Sequence, residues 1–322
     1  MESRTAYAID AEYIQSLNPL FIELQDLKRQ QPAHYNTSIA SSFFLESWKR
    51  LAYKQNPDAI AYRMAAKGLL SIVLPGCDRL FFKTAGLDLK SAETILSKAF
   101  EENIKPRIAP DLVRIFEGEI TAIAKEYFEE TDADPKETTS DFNKNYWFVK
   151  ALSRQPRAGA TKPGEARLLL TPAEMHSDHC MMTAIYAVLL SAGFDTTPGL
   201  PFLTGLAHHL HNAVLPDCGF AGEIALGDYL QPIIQNSKQE ALKNLPTDLK
   251  DTVEEAINNH ENLENAAGKA SSAADVLDRV LDIKWRVRAA SVTEKDVLDD
   301  LELVHEGPIK NFQTEILKSA GL

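Results

Sequence analysis

Apolar residues in this chain recur every three or four positions, and alternating strand patterns are scarce. That period places one apolar stripe along each segment and leads to an all-α expectation. Residues 38–53 set Phe43, Phe44, Trp48 and Leu51 at helical spacing. Residues 59–74 are rich in Ala and Leu and stop at Pro75-Gly76. Residues 87–100 open with Asp88, and residues 111–128 align Leu112, Phe116, Ile120, Ile123 and Tyr127. No cluster of chemically active side chains appears in this half. Its charged residues, such as Lys49, Arg50, Glu101 and Glu102, read as solvated faces.

The pattern breaks twice near the middle. Residues 129–141 are acidic, contain Pro135 and lack bulky apolar side chains; residues 154–165 are rich in Pro and Gly and locally basic. A length of 322 residues admits about two domains. The expected division is a helical N-terminal region, 1–140, whose role the sequence does not reveal, and a helical domain, 141–322. In the second half Thr171-Pro172-Ala173-Glu174 reads as a helix start with a capping box, running to Gly193. A second helix is expected from about Pro201 to near Pro216, and further helices flank Leu245-Pro246. A strong one covers SSAADVLDRVLDIKWRVRAA, with Asp275, Asp278 and Asp282 on one face. A last one is expected at 295–304, followed by a short tail from Pro308.

Composition narrows the partners. The net charge is −12, which disfavours broad contact with nucleic acid phosphates or anionic lipid. Three widely spaced cysteines, Cys77, Cys180 and Cys218, with no CxxC, argue against a disulfide framework and a thiolate zinc site. The reducing cytoplasm is the simplest compartment. The first residues lack a signal-peptide pattern, and no apolar run reaches the roughly 18 residues of a membrane helix.

Histidine is the chemical signal. Five of the eight histidines fall between positions 176 and 211: His176, His179, His208, His209 and His211. One buried histidine usually only bonds a backbone carbonyl. Five in one window, with carboxylates downstream, favour a metal between packed helices. Zn, Mn, Fe, Ni and Co all suit such donors. Arg154, Arg157, Lys162 and Arg167 are candidates for an anion site beside it, or simply residues of an exposed loop. No GxGxxG, P-loop, HExxH or GxSxG occurs.

Met175-His176-Ser177-Asp178-His179, then residues 205–212 (GLAHHLHN), then Ser272-Ala273-Ala274-Asp275 together resemble the HD-domain superfamily of metal-dependent phosphohydrolases. The likeness spans roughly residues 170–290. It implies a helical HD-like domain in which one divalent metal activates water against a small phosphoester, such as a nucleotide. It implies metal ligands among His176, His208, His209, His211 and Asp275. The family's His-Asp doublet is altered here, and two registers are open. Either His211-Asn212 is the doublet, 35 positions after His176, or His208-His209 is, 32 positions after it. The helix end running into the Pro/Gly turn favours the first, which makes Asn212 the doublet's second member, and the three-residue difference in spacing keeps both open. Glu223 stands where some members have another ligand; it is a ligand, a general base or a helix-start acid. Two further expectations keep the fold: a catalytically degenerate HD-like ligand sensor or scaffold, and an HD-type iron oxygenase. A homo-oligomer fits all three.

Overall fold

The computed structural model of the chain describes residues 10–128, 140–159, 170–287, 293, 295, 304 and 306–322. In order, its α-helices begin with α1 (Ala11–Leu24), α2 (Ile39–Ala52), α3 (Pro57–Val73), α4 (Arg79–Thr84), α5 (Leu89–Asn103) and α6 (Pro110–Phe128). Then come α7 (Ser140–Asn145), α8 (Trp147–Leu152), α9 (His176–Ser191), α10 (Gly199–Ala207) and α11 (Gly219–Leu226). The series ends with α12 (Leu230–Leu242), α13 (Thr247–Asn259), α14 (Ala266–Val287) and α15 (Lys310–Ser319). Among the described residues the only strand-like pairing is an isolated bridge between Pro156 and Met175. The fold is all-α, as the apolar period predicts.

Local chemistry sets the helix starts. The Ser38 hydroxyl accepts from Ser41 N at 2.9 Å and caps α2. Asn56 caps α3, whose first residue is Pro57, and Asp88 caps α5 through Ser91 N. The stripe Leu112, Phe116, Ile120 and Ile123 of α6 is buried as its spacing requires.

Helix α9 differs from these. All 16 of its residues are buried, so it has no solvent face and lies at the centre of the fold. It packs against α10, α14, α2 and α3. Its first turn, His176-Ser177-Asp178-His179, therefore brings polar groups into the interior, where each needs a partner. Ser177 bonds Ser41, Asp178 bonds Ser38, and both imidazoles have acceptors described below.

Three sequence expectations change. The start at Thr171 is replaced by a cap at Met175, where Asp178 closes the capping box; the Thr171-Pro172 bond is cis, and the chain there is not helical. The helix after Pro201 stops at Ala207 rather than near Pro216. His209 takes φ −102° and ψ 19°, and a short 3-10 turn follows at Leu210–Ala213. The tail from Pro308 contains helix α15, held by buried Phe312 and Ile316. Most of the helix expected at 295–304 lies outside the described residues.

One hydrophobic core takes in described residues from Ile14 to Ala320. A 3-10 turn, Gln25–Lys28, sends buried side chains from the N-terminal half onto α14. A cavity of about 570 Å³ opens in the N-terminal half, lined by Tyr35, Glu46, Lys49, Arg50, Lys67 and Tyr127 among others. It shares no residue with the histidine cluster.

Candidate metal centre

Three helices meet at the cluster. His179 comes from the first turn of α9, His208 caps the C-terminus of α10, and Asp275 lies within α14. The segment ahead of α9 is tied down by a pair of backbone bonds: Arg157 N to Glu174 O at 2.8 Å, and His176 N to Gln155 O at 3.1 Å. That ladder places the Arg157 side chain beside the start of α9. There Nη1 donates to Glu174 Oε2 at 3.2 Å.

The partners of each imidazole fix its tautomer. A carbonyl oxygen can only accept, so His208 Nδ1 carries the hydrogen it gives to Gly205 O at 2.8 Å. By the same argument His176 Nδ1 donates to Gln155 O at 2.9 Å. His179 Nδ1 donates to Asp278 Oδ2 at 2.6 Å. Burial pushes the Asp278 carboxyl up, but Lys28 and His179 outweigh it and hold the group below the usual range. His209 Nδ1 donates to Asn212 Oδ1 at 2.9 Å, and Asn212 is oriented by its own amide bond to Leu215 O at 3.2 Å.

With Nδ1 so engaged, the Nε2 atoms of His179 and His208 face inward, as lone pairs in the neutral rings. His179 Nε2 and His208 Nε2 face each other at 3.1 Å. Asp275 Oδ1 stands 3.2 Å from His179 Nε2 and 3.8 Å from His208 Nε2. Acceptors facing at this distance repel unless a proton or a metal cation lies among them. Ligands about 2.0–2.1 Å from a tetrahedral zinc stand roughly 3.3 Å apart, close to the spacing seen. The side chains of His179 and Asp278 are fully buried, and that bond repeats the carboxylate–histidine arrangement that supports metal-bound imidazoles.

Two more imidazoles border the trio. Ligand atoms of His179, His208 and His209 lie within 4.8 Å of one another, and so do those of His208, His260 and Asp275. The His208 and His260 rings stack at 4.7 Å. His260 Nε2 is buried without a hydrogen-bond partner, 3.8 Å from Asp275 Oδ2. Burial, reinforced by neighbouring imidazoles, holds His208 and His209 well below the usual histidine range. Both are neutral at pH 7, the form that ligates a metal.

The structure therefore brings together His208, His209 and Asp275 from the candidate set and leaves others aside. His176 lies across His209, ring centroids 5.1 Å apart, with its Nε2 buried and 3.7 Å from Asp217 Oδ2. Burial and then Arg157 lower His176 to about 4. His211 is also lowered to about 4, by burial and then Lys238, and its Nδ1 has no hydrogen-bond partner. Neither belongs to a convergent ligand group. The reason is the break at His209: once the α-helix ends, His208 and His211 no longer share a sector. Asn212 holds His209 rather than facing the trio. Glu223 is exposed on α11. Arg154 is exposed, and Lys162 and Arg167 lie outside the described residues. Cys180 is buried with its thiol pushed up by burial, which suits a small core residue and not a nucleophile.

The sequence reading had His179 in the histidine window but not in the ligand set that the resemblance implies, and it missed His260 as a neighbour of Asp275 and Asp278 as the acceptor for His179. The spacing of Asp275 and Asp278, one helical turn apart, was the available signal. It marks two carboxylates on one face, able to reach the same imidazole from two sides.

No family model matches the chain, and no curated protein or solved structure does. Among the described residues no helix is long and apolar enough to cross a membrane.

Proposed function

We propose that this chain is an HD-like metal-dependent phosphohydrolase acting on a small phosphoester, with one divalent metal held by His179, His208 and Asp275. The observation that carries the reading is the pair of Nε2 lone pairs facing at 3.1 Å beside a carboxylate oxygen. His209 or His260 supplies a fourth donor. A divalent metal bound here would lower the pKa of its water and polarise a phosphoryl oxygen. The residues of the chain do the rest. Asp278 holds a hydrogen of His179 on Nδ1 and so turns Nε2 inward, Gly205 does the same for His208, and Arg157 sets a positive charge near the histidines for an anionic substrate. The register that fits is His208-His209, so an imidazole stands where the family's doublet has a carboxylate.

That imidazole favours a second reading, a degenerate HD-like sensor or scaffold that binds metal and ligand without turnover. His209 cannot bridge two cations as a carboxylate does. Elemental analysis of chain purified without chelator comes first, beside His208→Ala. About one equivalent in the wild type and none in the variant supports a metal centre; trace metal in both removes it. A panel of nucleotides and generic phosphoesters then separates the readings. Metal-dependent turnover supports the hydrolase, and tight binding without turnover supports the sensor.

A further inference from the structure

We propose that Lys28 is a positioning residue of the centre. Its ammonium fills, between Glu174 and Asp278, the place a second divalent cation would take, and so limits the centre to one metal. The inference rests on the metal reading above.

Lys28 Nζ lies 2.5 Å from Glu174 Oε1, 2.7 Å from Asp278 Oδ2 and 3.8 Å from Asp282 Oδ1, and no side chain of the four is more than 3% exposed. Three carboxylates gathered in the interior repel one another and require a cation. Here the chain supplies its own: among the described residues Lys28, from the 3-10 turn Gln25–Lys28 and 250 positions before Asp278, is the cation that reaches all three, while Arg157 also pairs with Glu174, and Arg29 and Arg286 with Asp282. Glu174 and Asp278 offer carboxylate oxygens of the kind hard divalent cations take, beside a His179 ring whose Nδ1 is bonded to Asp278 and whose Nε2 faces the trio. The lysine ammonium already sits against both carboxylates.

The consequence reaches the trio through one carboxylate. Asp278 Oδ2 is shared by Lys28 Nζ and His179 Nδ1, while Gln25 Nε2 donates to Oδ1 at 2.8 Å. Gln25 also bonds the Tyr186 hydroxyl at 2.9 Å on α9, which ties the turn to the helix that carries His179. Lys28 and Gln25 therefore set the plane of the Asp278 carboxylate. Asp278 sets the tautomer and orientation of His179, and His179 presents Nε2 to the metal. A lysine suits this task because its charge is compact and its three donors point to separate oxygens; the planar guanidinium fork of arginine does not reproduce that.

Cobalt(II) is the probe, read by elemental stoichiometry and by titration of the full chain, with circular dichroism confirming the fold. The wild type takes up one equivalent. Lys28→Ser opens the space and removes the charge, and is expected to bind a second equivalent that also raises its unfolding temperature. Lys28→Arg keeps the charge and stays at one. A folded Lys28→Ser that still binds one equivalent with wild-type affinity overturns the proposal. Should Lys28→Ser not fold, the charge-balanced variant Lys28→Met/Glu174→Gln carries the test. Its cobalt affinity is expected to fall about 10–100-fold as Asp278 loses its anchor, and unchanged affinity overturns the proposal. A wild type without metal, matching His208→Ala, removes the metal reading itself and leaves Lys28 as a buried ion pair.

Discussion

A β-carbon on Gly205 would stand 2.6 Å from both the Cα and the backbone nitrogen of Ala184, so α9 and α10 meet backbone to backbone at this pair. These are the helices that carry His179 and His208. Gly205 also accepts the Nδ1 hydrogen of His208. One residue thus sets both the spacing of the two imidazoles and the tautomer of one. Gly205→Ala is expected to destabilise the fold by about 1–3 kcal/mol, the usual cost of overpacking, and to weaken metal binding besides. Thermal unfolding with and without added cobalt measures both. Wild-type stability would show that the helices part freely there.

Asp278→Asn tests the support of His179. The amide keeps the shape of the side chain but is a poorer acceptor for Nδ1. Metal affinity is expected to fall about 10–100-fold, roughly 1.4–2.7 kcal/mol. Competition against a chromogenic chelator gives the value. An affinity equal to wild type would mean that His179 needs no carboxylate behind it.

The two doublet registers make opposite forecasts. With His208-His209 as the doublet, His179→Ala and His208→Ala each abolish metal uptake, while His211→Ala and Glu223→Gln retain it. Elemental analysis of the four variants decides. Loss of metal in His211→Ala with retention in His208→Ala would restore the other register.

A pH dependence follows from the N-terminal cavity. Burial alone would raise the Glu46 carboxyl, but Lys67 and Arg50 outweigh it and hold it at about 2, against an ordinary value of 4.5. A depressed carboxyl stabilises the fold fully above its unfolded pKa. The stabilisation is lost as pH falls from about 4.5 towards 2. Because the side chain is 23% exposed, the full shift overstates its effect, and about 2 kcal/mol is a fair size. Glu46→Gln should therefore differ from wild type at pH 7, and the gap should shrink below about pH 4.5 and close as pH falls through about 2. Chemical unfolding at stepped pH measures the gap; a constant gap across that range would count against the assignment.

The helical fold was legible because its signals are local. Ser38, Asn56 and Asp88 cap helices through atoms two or three residues away, and the stripe of α6 is readable from spacing alone. The clustering of side chains was legible in part. Among the candidates His208, His209 and Asp275 do come together in the fold, and the first two lie in the histidine-rich window. The choice between His176 and His179 was not readable, because it depends on where α9 begins. The Pro156–Met175 bridge and the capping box closed by Asp178 place that start at His176 instead of Pro172. The role of Lys28 was unreadable for a different reason: its partners lie 146 and 250 positions away.

That distance along the chain has a consequence for synthesis. A nascent chain emerges from the ribosome with Lys28 first and the histidines much later, but the carboxylates of α14 come last. Until α14 is released, His179 has no acceptor for Nδ1 and Lys28 has no counter-charge from Asp278. The cluster of His179, His208, Asp275 and Asp278 is complete only once α14 has packed against α9 and α10, so its assembly waits on contacts between segments made early and late in synthesis.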